Sequence, residues 1–194
     1  MQRRCPLPFL LLALVLAFIL AGCDQTSEDI ALAPPQTITD GDACHVCGMT
    51  ISSFPGPKGQ AFLAGRSDAL KFCSTMDLFA FLKQPENETL ASFAYVHDIG
   101  KTTWQAPADD AYIRAGDAWY VVGHDQRGAM GHTLASFAEQ TDAEAFREGH
   151  GGELVTYTEI DLDLLGRLGR GEIGEGMGGM HGQGEGVDET PGQE

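Results

Sequence analysis

Within six residues, Cys44-His45-Val46-Cys47-Gly48-Met49 sets out two thiols, an imidazole and a thioether. Soft donors of this kind suit copper(I), which takes thiolate and thioether readily. A c-type haem needs histidine directly after the second cysteine of C-x-x-C-H, and Gly48 stands there. A structural zinc site needs four ligands; only Cys73 and scattered histidines would complete one, and zinc has no use for Met49. A redox C-x-x-C opens a helix after a strand, whereas Gly48-Met49-Thr50-Ile51 reads as a strand. On a strand Cys47 and Met49 share a face, and Gly48 between them admits close approach of a ligand. A plain Cys44–Cys47 disulfide stays open as an alternative.

A further donor must come from elsewhere in the chain. Gly128-Ala129-Met130-Gly131-His132 offers the Met130 thioether in a glycine-rich loop, with His132 as a ligand or a support. Cys73 and Met76 fall in an apolar stripe and read as core. His97, His124 and His150 are isolated and read as structural or surface residues. Met177, Met180 and His181 form a loose group near the C-terminus.

These donors follow a short stretch after a membrane signal. Arg3 and Arg4 precede an uncharged apolar run from Leu10 to Leu20, and Leu20-Ala21-Gly22-Cys23 resembles a lipoprotein cleavage site. Residues 1–22 are read as the signal peptide and Cys23 as the lipidated residue. Asp24 favours retention on the inner membrane, facing the periplasm. Residues 23–43, with Pro34-Pro35 and several acidic side chains, read as a tether. Cys44, Cys47 and Cys73 are then the thiols of the folded part, an odd number that argues against a purely disulfide-stapled scaffold. The net charge of −16 repels phosphate backbones, which excludes nucleic acid as a partner.

Between the tether and a Gly/Glu-rich tail at 170–194, read as disordered, residues 44–169 carry mixed helix and strand signals. Strands are expected near 60–63, 93–99, 132–137 and 154–157. A hairpin is expected from 111–114 to 119–122. Helices are expected from Ser67-Asp68 to Pro85, from Thr141-Asp142 to Glu148, and over 162–168. Ser67-Asp68-Ala69-Leu70-Lys71-Phe72 parallels Thr141-Asp142-Ala143-Glu144-Ala145-Phe146. The expectation is an α+β domain of two related ββαβ-like lobes, 44–99 and 110–160, in which Met130-Gly131 takes the place of Lys58-Gly59.

The lipoprotein signal, Cys44-x-x-Cys47-Gly48-Met49, Phe54-Pro55-Gly56-Pro57-Lys58-Gly59, and Met130-Gly131 ahead of Leu134-Ala135-Ser136-Phe137-Ala138 resemble the NosL family over about residues 20–160. So do Ala143-Glu144-Ala145-Phe146 and Gly151-Gly152-Glu153-Leu154-Val155. The resemblance implies a non-enzymatic, membrane-anchored periplasmic Cu(I) chaperone that delivers copper for the copper-sulfide centre of nitrous oxide reductase. An ABC-type membrane complex is the implied partner. It also implies a pair of ββαβ lobes similar to part of organomercurial lyase. Carried onto this chain, the metal ligands fall on Cys47, Met49 and Met130, with His132 and Cys44 as further candidates. The competing function is a membrane-anchored thiol-disulfide oxidoreductase in which Cys44 attacks and Cys47 resolves.

Overall fold

The computed structural model describes residues 33–174. The signal peptide, Cys23, Asp24 and the Met177, Met180 and His181 group lie outside them. Two antiparallel sheets and three helices make up the described chain. The first sheet runs β2-β1-β3-β4, with β1 Gly59–Leu63, β2 Leu70–Phe72, β3 Ala91–His97 and β4 Tyr112–Arg114. The second runs β6-β5-β7, with β5 Trp119–Val122, β6 Ala135–Phe137 and β7 Glu153–Thr156. Helix α1, Thr75–Leu82, follows β2; α2, Gln140–His150, follows β6; α3, Leu162–Gly169, closes the described chain. In each sheet the first strand is flanked by the second and by the strand that follows the helix.

Several expectations need correction. The helix expected from Ser67 begins instead at Thr75, capped by Ser74, whose side chain accepts from the Asp77 amide. Leu70, Lys71 and Phe72 pair with β1, so their buried–intermediate–buried alternation has period two. Ser67-Asp68 therefore precedes a strand while Thr141-Asp142 lies inside α2, and the proposed repeat alignment is out of register. Lys58-Gly59 opens β1, whose counterpart by strand order is β5, not the loop at Met130-Gly131. The hairpin expected between 111–114 and 119–122 does not form. β4 pairs with β3 and β5 with β6 and β7, because a 3-10 turn at Ala115–Asp117 carries the chain from one sheet to the other. Ala115 is buried in that turn, and its carbonyl accepts from the Tyr120 hydroxyl at 2.7 Å.

Residues 33–43, assigned above to the tether, lie against the folded domain. Gln36 and Gln60 exchange two hydrogen bonds at 2.8 and 2.6 Å, and Tyr95 donates to the Ala33 carbonyl. At the other end Ile173 is buried, so packing continues past the expected tail boundary at 170.

The main core gathers Ile51, Phe72, Leu78, Phe79, Val96, Tyr120, Leu134, Leu165 and Leu168. Helix α1 is its axle. Leu78 packs over Gly59 of β1, while Phe79 meets Tyr120 of β5 edge-on at 5.1 Å. The two sheets are also joined directly, since Ser136 of β6 donates to the His97 carbonyl at 2.6 Å. A smaller cluster of Val121, Ala135, Phe137 and Ala143 seats α2 on the second sheet.

Candidate metal centre

The strand expected at Gly48-Met49-Thr50-Ile51 does not form: Ile51–Ser53 is a 3-10 turn, and Cys44–Met49 before it is a turn. An isolated bridge between Ala43 and Thr50 closes it, the Cys44 amide donates to the Met49 carbonyl at 2.8 Å, and the Gly48 amide donates to the Cys44 carbonyl at 2.9 Å. Gly48 has φ 73°, a left-handed conformation open to glycine at little cost. Cys44 is 3% exposed and Cys47 is half-buried. His45 points away, packing edge-on against Phe72 and Phe81.

Two residues from the β2–α1 junction complete the group. Cys73 is the last residue before the Ser74 cap, and Asp77 lies in the first turn of α1. Capping fixes this turn. Ligand atoms of Cys44, Cys47, Cys73 and Asp77 all lie within 4.8 Å of one another. The sulfurs of Cys47 and Cys73 stand 3.5 Å apart. The Cys73 thiol donates to Asp77 Oδ2 at 3.0 Å, and Cys44 donates to the same oxygen at 3.5 Å. All three cysteines are free thiols, so the Cys44–Cys47 disulfide alternative is not the state seen.

Burial pushes the Cys73 thiol far above its ordinary range, and the neighbouring Asp77 carboxylate pushes the same way. Burial also raises Cys47; the Met49 amide acts in the opposite sense. The Cys47 and Cys73 thiols are therefore held in the protonated form in the metal-free cluster, and a metal ion must displace those protons on entry. At metal–sulfur bonds of about 2.3 Å, two thiolates on one ion stand roughly 4 Å apart, so the Cys47–Cys73 separation needs little adjustment. Three sulfurs and one carboxylate form a predominantly soft set.

Met130 occupies the tip of a pinched loop. Gly128 and Gly131 exchange backbone hydrogen bonds at 2.8 and 3.3 Å, leaving Ala129 and Met130 at the apex, and Met130 is 58% exposed. The base of that loop is tied to α1. The Thr75 hydroxyl meets the Thr133 hydroxyl at 2.8 Å, donates to the Leu134 carbonyl and accepts from the Leu134 amide. The loop is thus anchored at the residue lying between Cys73 and Asp77 along the chain. His132 Nδ1 accepts from Arg127 at 2.7 Å, which turns that nitrogen toward the guanidinium. Met49, half-buried, contributes its backbone to the turn.

Residues 35–165 match the NosL family. The chain belongs to the NosL family. Two curated relatives are both named "Copper-binding lipoprotein NosL". That from Stutzerimonas stutzeri is 48% identical over 155 residues, covering 80% of each chain. That from Achromobacter cycloclastes is 35% identical over 160 residues, covering 81% of each. The crystal structure of the copper chaperone NosL from Shewanella denitrificans superposes with a TM-score of 0.66 at 44% identity, covering 68% of this chain and 98% of that one.

The NosL match spans every residue of the cluster together with Met130 and His132. Sequence reading found Cys44 and Cys47 but set Cys73 aside as core and did not consider Asp77. A local signal was present. Ser74-Thr75-Met76-Asp77 is an N-cap followed three residues later by an acid, which puts Cys73 beside a helix start, where thiols acquire chemistry.

Proposed function

We propose that this NosL-family chain is a membrane-anchored, periplasmic carrier of copper(I), lipidated at Cys23 and held on the inner membrane by Asp24. It delivers copper for assembly of the copper-sulfide centre of nitrous oxide reductase, together with an ABC-type membrane complex. The carrying observation is the convergence of Cys44, Cys47, Cys73 and Asp77 in one buried-to-open cluster. The names of the relatives support the cargo. In this reading Cys47 is the central thiolate, backed by Cys73 and Cys44. Met49 and Met130 supply thioethers, and His132 supports the Met130 loop. No substrate bond is made or broken, so the protein is a carrier rather than an enzyme. The matching strand order around α1 and α2 supports two related ββαβ lobes.

Competition with a copper(I)-specific chelator tests the assignment. One copper(I) per reduced chain is expected, with affinity lowered at least tenfold by Cys47→Ala and by Met130→Ala. Unchanged affinity in both variants sinks the reading.

A further inference from the structure

Resting on the metal-carrier reading, we infer that Cys47 and Cys73, and not the C-x-x-C pair, form a reversible disulfide that competes with metal for the same sulfurs. Three observations carry this. The two sulfurs already touch at 3.5 Å although the residues are 26 apart in sequence. Cys44, the other member of the C-x-x-C, is 3% exposed and its thiol donates to Asp77 Oδ2 at 3.5 Å. Access is graded: Cys47 is half-buried, whereas Cys73 is 0% exposed and donates to Asp77 at 3.0 Å.

These positions assign an order to the chemistry, with a small-molecule disulfide as the oxidant. The accessible Cys47 thiolate attacks one sulfur of that disulfide, giving a mixed disulfide and releasing one thiol. Cys73 Sγ then attacks Cys47 Sγ, its proton passing to the departing small thiol. The Cys47–Cys73 bond forms and the second small thiol leaves. Two cysteines are oxidised, one disulfide is reduced to two thiols, and the two cysteine protons end on those thiols. The linked form keeps only Cys44 as a free sulfur among the clustered donors. A metal ion bound first holds Cys47 as a ligand and denies the oxidant its point of attack.

The test is peptide mapping of the reduced full-length protein after exposure to oxidised glutathione, without reductant. Trypsin leaves Cys5, Cys23, Cys44 and Cys47 in the peptide ending at Lys58 and places Cys73 in the peptide 72–83, so fragmentation of the linked pair assigns the bond to Cys47. The expected product joins these two peptides, persists in Cys44→Ser, and falls at least tenfold when one equivalent of copper(I) is bound first. A link confined to the peptide ending at Lys58, a link lost in Cys44→Ser, or no link at all overturns the inference. If the link forms but copper(I) gives no protection, the competition fails, while the chelator titration of Cys47→Ala decides the carrier reading separately.

Discussion

Cys47 is the member of the cluster open partway to solvent, and the side chains around it are held by short-range devices that can be broken one at a time. Ser74 caps α1 by accepting from the Asp77 amide at 3.1 Å. Ser74→Ala should cost about 1 kcal/mol, read as a lower urea midpoint, and should loosen the turn that carries Asp77. Gly48 has open space where a β-carbon would stand, so Gly48→Ala meets only the left-handed backbone cost. That cost is about 1–2 kcal/mol and should appear in urea unfolding. At this scale the sequence was legible where donors are neighbours. Cys44, Cys47 and Met49 announce themselves by spacing. Cys73 did not, because Leu70, Phe72 and Cys73 fit a helical stripe as well as a two-residue alternation over so short a run. Only cross-strand pairing with Gly59–Ala61 decides between them.

Among the elements, α1 packs directly on β1. A β-carbon at Gly59 would lie 2.7 Å from Leu78 Cβ, so helix and strand approach more tightly than any side chain allows. Gly59→Ala should therefore destabilise by about 1–3 kcal/mol through overpacking, measured by thermal unfolding. The same variant should weaken metal capture, because α1 carries Asp77. Most helices and strands were readable from periodicity, and α2, β7 and α3 fell close to their expected places. The hairpin at 111–122 was misread because both arms are rich in strand-forming residues and Ala115-Gly116-Asp117-Ala118 between them is short enough for a turn. What separates them is tertiary: the Ala115–Asp117 turn buries Ala115, whose carbonyl is held by the Tyr120 hydroxyl. No local pattern encodes that exchange between sheets.

For the molecule as a whole, stability should depend on acid through two buried histidines. His97 accepts from the Lys58 amide at Nδ1 and stacks on Tyr112, and His124 lies among Trp104 and Phe146. Burial lowers His97 from 6.5 to about 3 and His124 from 6.5 to about 4. The unfolded chain binds these protons first, so stability is complete above about pH 6.5 and falls as pH drops toward 4. Each imidazole contributes up to about 1.4 kcal/mol per pH unit. Urea midpoints at pH 7, 6 and 5 should decline, and His97→Gln should flatten the decline; equal midpoints across that range would contradict the assignment. Copper(I) in excess should raise the melting temperature of the reduced protein by mass action, and Cys47→Ala should lose that rise. No helix among the described residues is long and apolar enough to cross a membrane.

The graded exposure of the four donors has a bearing on how cargo is surrendered. Cys73, Cys44 and Asp77 are sealed in, and only Cys47 opens partway to solvent. On the carrier reading proposed above, an acceptor's sulfur reaches a captured ion past Cys47 and not through Cys73, Cys44 or Asp77. In that reading the newcomer bonds before the buried groups let go, so departure follows a set sequence and the ion is never loose in water.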